Sequence, residues 1–195
     1  MNEPASKSPP TLSRCAWCGT DPLYVTYHDN EWGRPVQDDQ RLFEMLTLEG
    51  AQAGLSWITI LRKREGYRKA FHNFDPERVA AMTQADQLSL LSDDSIVRNR
   101  LKIASTVTNA RAFLDVQKTV GSFSQWYWKY TEGGTILNAW ESMDQIPSST
   151  ELSQQISRDL KRLGFRFVGP TIVYAFMQAT GMVNDHVTTC HRYPH

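Results

Sequence analysis

Cysteine and histidine, side chains well suited to hold a transition metal, gather near the two ends of a 195-residue chain. Cys15, Cys18 and His28 stand near the start; His186, Cys190, His191 and His195 stand near the finish, and only His72 lies between. Two short pairs of nitrogen and sulfur ligands suit a closed tetrahedral zinc site that ties the N-terminal segment to the C-terminal one. His186 and Cys190 are four residues apart, so one helical turn would aim both the same way. C-x-x-C spacing makes Cys15 and Cys18 the natural first pair. Buried free thiols with surface histidines are the alternative, because spacing alone does not fix use.

A second group centres on a carboxylate. Glu49 follows an apolar helix face and precedes Gly50, Gln52, Ala53, Gly54, Leu55 and Trp57. The glycines allow a backbone to approach a ligand closely, and Leu55 could act as an apolar wedge at the tip of a turn. A cap, or an ion pair with the run Arg62 to Arg64, is the competing use of Glu49. Trp17, Tyr24, Tyr27 and Trp32 surround His28 in sequence. They serve equally well as core or as walls for something flat.

Rigid elements must position these groups. Leu42, Met45, Leu46 and Glu49 recur at helical spacing over 41–49, and a second helix is expected over 55–64. Asp75-Pro76 supplies an N-cap followed by proline at the first helical position, opening a helix to about Met82; Thr83 with Asp86 marks another start. Leu101, Ile103, Ala104, Val107, Ala110 and Leu114 form one broad stripe over 100–116, and 122–130 is short and aromatic. Thr150 caps a helix through Leu163, Gly164 stops it, Pro170 opens the next, and Gly181 ends that one. No period-2 strand or repeat emerges, so the expected class is all-α. The N–H groups and dipole at the Gly169-Pro170 start form a place for a phosphate oxygen. From Arg158 to His195 there are five Lys/Arg against two Asp/Glu. Helix, tight turn and helix together look like a helix-hairpin-helix gripping DNA backbone, with Gly164, Arg166, Gly169 and Thr171 as contacts. Any two helices packed across a glycine turn share that outline.

Composition sets the frame. Lys+Arg and Asp+Glu are equal at 21 each, which excludes an indiscriminately basic nucleic-acid coat while leaving room for a local basic face. Three cysteines, an odd number, argue against a secreted disulfide scaffold. No stretch of about 18 apolar residues exists, so no membrane partner is expected, and the expectation is a soluble, cytoplasmic monomer. Residues 1–13, rich in proline and serine, are expected to be a flexible tail, and 14–195 a single helical domain.

Four segments then carry a resemblance: Asp21-Pro22-Leu23-Tyr24; Tyr27-His28-Asp29-Asn30-Glu31-Trp32-Gly33; Leu48-Glu49-Gly50-Ala51-Gln52-Ala53-Gly54-Leu55-Ser56-Trp57; and Gly164-Phe165 through Asn184-Asp185-His186. In this order they resemble the 3-methyladenine DNA glycosylase I family. The resemblance implies a helix-hairpin-helix glycosylase fold, one structural zinc, and hydrolytic release of free 3-methyladenine from alkylated double-stranded DNA. It assigns zinc to Cys15, His28, His186 and Cys190, displacing Cys18. It places Glu49 as the catalytic group in a base pocket with Trp17, Tyr27 and Trp57, and Gln52, Ala53, Gly54 and Leu55 as the intercalating turn. Phe167 stands where the wider superfamily has glycine. Asp185 falls near its usual catalytic aspartate and is a weaker catalytic candidate, a partner for His186 or a helix cap being the alternative. Thr171 stands where lyase-active relatives carry lysine, which implies a monofunctional enzyme. A non-catalytic zinc-bearing DNA-binding module is the main rival; a small-molecule enzyme with a purine pocket is the second. The ordered run from Glu49 to Trp57 favours the glycosylase over both.

Overall fold

A computed structural model describes residues 12–194. Most of the expected tail, and His195, lie outside the described residues. The first helix, α1 (Pro22–Asn30), starts where Asp21 accepts hydrogen bonds from the backbone N–H of Leu23 and Tyr24 ahead of Pro22. This is the same Asp-Pro device that opens α4 (Pro76–Ala80). Sequence spacing predicts the second helix and not the first. Between them lie α2 (Asp39–Gln52) and α3 (Trp57–Ala70), the latter starting later and running further than the pattern suggests.

Ten successive residues of α2, Leu42 to Ala51, are buried, which makes it the central helix; a helix buried all round must be covered on every side. It packs against α3, the long α6 (Arg100–Val120), the aromatic α7 (Phe123–Trp128) and α9 (Pro170–Ala179). Aromatic rings pack together within the core: Phe113 lies 5.2 Å from Phe43 and 4.3 Å from Phe123, ring centre to ring centre. Thr83 and Asp86 form the expected capping box at α5 (Gln84–Ser89), and Thr150 with Ser153 forms one at α8 (Glu151–Arg162).

The all-α expectation needs one small correction. Ile136–Leu137 (β1) and Val183–Asn184 (β2) pair in parallel, two residues each. So short a pairing has no alternation to read.

The turn from α8 to α9 is held from both sides. Ser157 Oγ donates to the carbonyl of Val168 at 2.6 Å, and Asn109 on α6 brackets Arg166, accepting from its N–H at 2.7 Å and donating to its carbonyl at 3.0 Å. Phe167 adopts φ +54°, the left-handed region where a glycine would sit without strain. Its Cβ packs against Gly50, where an added Cβ would stand 3.3 Å away. A bare backbone at position 50 therefore lets α2 seat directly against the turn.

Candidate active site and metal centre

Cys15, His28, His186 and Cys190 meet in the folded chain, all buried, with their ligand atoms within 4.8 Å of one another. Cys15 Sγ is 3.6 Å from His186 Nδ1, and Cys190 Sγ is 3.5 Å from both His28 Nε2 and His186 Nδ1. A tetrahedral ion bonded at about 2.3 Å to sulfur and 2.0–2.1 Å to nitrogen spaces those atoms about 3.6 Å apart, so the donor set fits. The outer nitrogens are engaged as a ligand pair requires: His28 Nδ1 is 2.7 Å from Asp29 Oδ1, and His186 Nε2 is 3.3 Å from the carbonyl of Trp32. Asp29 also carries a salt bridge with Arg14 at 2.8 Å. Burial lowers the His186 imidazole to about 4 and keeps it neutral, the form that ligates.

Two readings from spacing change here. Cys18 lies outside the cluster, its thiol directed at the carbonyl of Gly19. His186 and Cys190 do converge, but through a turn closed by Cys190 N–H to Val187 C=O, not along a helix. His191 bonds to Ser13 C=O beside the cluster. It is not one of the four.

Next to this centre a cavity of about 180 Å³ is lined by Trp17, Tyr24, Tyr27, Trp32, Glu49, Gln52, Trp57, Met143, Ile146, Ala175 and Gln178. This is small beside the roughly 300–1,000 Å³ of pockets for drug-sized ligands. Its aromatic walls brace one another, with Tyr27 5.3 Å from Trp57 and Trp17 5.0 Å from both Tyr24 and Trp32. The same Trp32 packs edge-on to His186 at 4.7 Å, joining the cavity wall to the Cys/His cluster.

Glu49 sits at the end of the buried α2 face and is only 3% exposed. It pairs with no arginine: Arg64 is taken by Glu31 and Glu44, and Arg62 by Asp21. Burial with no compensating cation pushes its carboxyl up to about 8. Glu49 Oε2, Trp17 Nε1 and Trp57 Nε1 are buried and hydrogen-bonded to nothing among the described residues. All three residues line the cavity. Unpartnered buried polar groups are costly, and three in one cavity define a place for a ligand with both donors and acceptors.

The turn after α2 borders this cavity through Gln52. Leu55 N–H returns to Gln52 C=O at 2.6 Å, Gly54 takes φ +79°, and Leu55 is left 41% exposed at the tip. A residue that sequence reasoning missed anchors the turn: Lys102 Nζ donates to the carbonyls of Ala51 at 2.8 Å and Ala53 at 2.7 Å. On the other side, Thr171, Ala175 and Gln178 follow one another along one face of α9, from its exposed start to the cavity wall. Gly164 and Arg166 are exposed on the turn before it, and Gly169 precedes it half-buried.

Asp185 is fully buried and is not part of the cavity lining. Its carboxylate accepts four hydrogen bonds: from Asn138 Nδ2 (2.7 Å), Trp140 Nε1 (2.8 Å), Tyr174 Oη (2.6 Å) and Gln178 Nε2 (2.8 Å). It neither bonds the His186 ring nor caps a helix.

The architecture is that of structures of 3-methyladenine DNA glycosylase I. One superposes with a TM-score of 0.92 at 50% identity, covering 93% of this chain and all of its own. Another, from Staphylococcus aureus and described as the structural basis of 3-methyladenine recognition, gives 0.91 at 38% identity over 94% of this chain and 98% of its own. Residues 17–193 match the methyladenine glycosylase family model, and the chain belongs to that family of glycosidases. The DNA-3-methyladenine glycosylase 1 of Escherichia coli (strain K12) is 49% identical over 183 residues, 94% of this chain and 98% of its own.

Proposed function

We propose that this protein hydrolyses the N-glycosidic bond of N3-methyladenine in alkylated duplex DNA, releasing the free base and leaving an abasic site. The observation that carries this is the aromatic cavity closed by Glu49, with a carboxyl oxygen and two indole N–H groups buried and unpartnered within it. A methyl on N3 makes the adenine cationic. Stacking on Trp and Tyr faces then gains roughly 0.5–2 kcal/mol from cation–π attraction, and Glu49 adds a charge-assisted hydrogen bond. Undamaged adenine gains neither.

A base inside the duplex cannot reach such a cavity, so the nucleotide is extruded at a cost of a few kcal/mol. Leu55 on its anchored turn fills the gap, while Gly164, Arg166, Gly169 and Thr171 hold backbone phosphate at the start of α9. In the chemical step the C1′–N9 electron pair leaves with the base, whose cationic charge it neutralises; water adds to C1′ and loses a proton. Base departure therefore needs little acid catalysis, and Glu49 acts through charge and position. No lysine among the described residues lines the cavity, which favours a hydrolase without lyase activity. Cys15, His28, His186 and Cys190 would hold one zinc ion, which supplies a closed structural cross-link and no open coordination position.

The test is incubation with methylated duplex DNA and chromatography of the released bases. Free 3-methyladenine is the expected product. DNA binding with no base release would favour the non-catalytic module instead. Leu55→Ala, which removes the wedge, and Lys102→Met, which frees the turn, are each expected to slow single-turnover excision about tenfold or more at saturating enzyme. Metal content should not change. Wild-type rates in both variants would exclude the turn from flipping.

A further inference from the structure

Asp185 fixes the orientation of an amide in the cavity wall. A carboxylate surrounded by four donors is an acceptor only, so the group Gln178 turns toward it must be its NH2. The remaining polar atom, the carbonyl Oε1, has no hydrogen-bond partner among the described residues, and Gln178 lines the cavity with Glu49. The same carboxylate grips Asn138 and Trp140, which lead into the segment that brings Met143 and Ile146 into the cavity lining. One buried group thus holds both an acceptor and a second stretch of the cavity lining.

We propose that Gln178 is a specificity-determining residue whose carbonyl, locked by Asp185, accepts a hydrogen bond from the exocyclic amino group of a 6-aminopurine and thereby disfavours 6-oxopurines such as 3-methylguanine. Asp185 is its positioning residue. The inference rests on the base-binding reading of the cavity. A 6-oxo group would set an acceptor against an acceptor and leave both desolvated and unpaired. A site built to pair a donor rejects the analogue lacking it more strongly than shape alone does. Asp185 has no access to the sugar in this scheme and acts only through Gln178 and the 138–146 segment.

The test compares 3-methyladenine with 3-methylhypoxanthine, free bases that carry an amino and an oxo group at C6, by quenching of tryptophan fluorescence. The wild-type protein is expected to prefer the amino base. Gln178→Met, close in volume and without the carbonyl, should reduce that preference about tenfold, mainly by weakening the amino base. Asp185→Asn, which lets the amide turn over, should shift the ratio the same way by a smaller amount. A purely structural role would weaken both bases equally and leave the ratio unchanged, and that result overturns the proposal. If Gln178→Met melts well below the wild type, Gln178→Leu takes its place in the same titration. Failure of the wild type to bind 3-methyladenine at all would instead sink the glycosylase reading.

Discussion

Glu49→Gln is expected to lower kcat/KM for 3-methyladenine excision by about 100-fold at pH 8, while leaving affinity for undamaged DNA nearly unchanged. A hydrogen bond to a charged group in a water-excluded site contributes up to about 3 kcal/mol, and each ~1.4 kcal/mol is tenfold in rate. The pH profile separates this role from a packing role. Burial holds the carboxyl at about 8, so at neutral pH the free protein is mostly protonated there, and only the ionised form attracts a cationic base. Wild-type kcat/KM should therefore climb with pH toward 8 and level off above it, since this parameter reports the free enzyme's ionisations. The Gln variant should be flat across that window. A wild-type profile that falls between pH 6 and 8 would remove Glu49 from this role.

The same substitution should raise thermal stability. The folded-state value lies above the ordinary 4.5, so the folded chain keeps a proton that the unfolded chain releases. Stability from this group is greatest below pH 4.5 and is lost as pH rises toward 8, with at most about 3 kcal/mol gone at neutral pH. A variant both slower and harder to melt is the signature of a carboxylate buried for function.

Loss of the metal centre should have the larger effect on the fold. The native protein is expected to carry one zinc per chain by elemental analysis. His28→Ala should abolish it and lower Tm by more than about 10 °C, because structural zinc binding contributes several kcal/mol and each is worth 2–4 °C in a chain of this size. Asp29→Ala, which removes the partner of His28 Nδ1, should weaken zinc affinity roughly 10–100-fold. Cys18→Ser should keep its full metal content. Metal lost from Cys18→Ser and retained in His28→Ala would reverse the ligand set.

Legibility in the sequence followed the range of the interactions. Caps are local, so Asp75, Thr83 and Thr150 mark real helix starts. Asp21-Pro22 bears the same mark and opens α1, although the nearby motif residues obscure it. The gathering of Cys and His at the two ends, and the spacing of His186 and Cys190, do foretell a shared site, but spacing does not choose the N-terminal ligands, and C-x-x-C misleads toward Cys18. The family pattern, with its segments in order, names the four residues that the fold brings together. The cavity walls divide likewise. Glu49, Tyr27 and Trp57 stand in dense motifs with Trp17 nearby, whereas Met143 and Ile146 lie outside every motif, and Ala175 and Gln178, though inside the last segment, carry no mark of a cavity wall until the chain folds. Lys102 was equally hidden, because its partners are backbone carbonyls some fifty positions away.

The face of α9 that runs from Thr171 to Gln178 sets a fixed depth. Seven residues of α-helix rise about 10 Å, so in the proposed enzyme the strand resting on the helix start and the base being inspected are held that far apart by a rigid rod. No stacked nucleotide spans such a gap. Inspection is thus restricted to bases that have already left the helix, and normal pairs are spared by geometry before any chemistry begins.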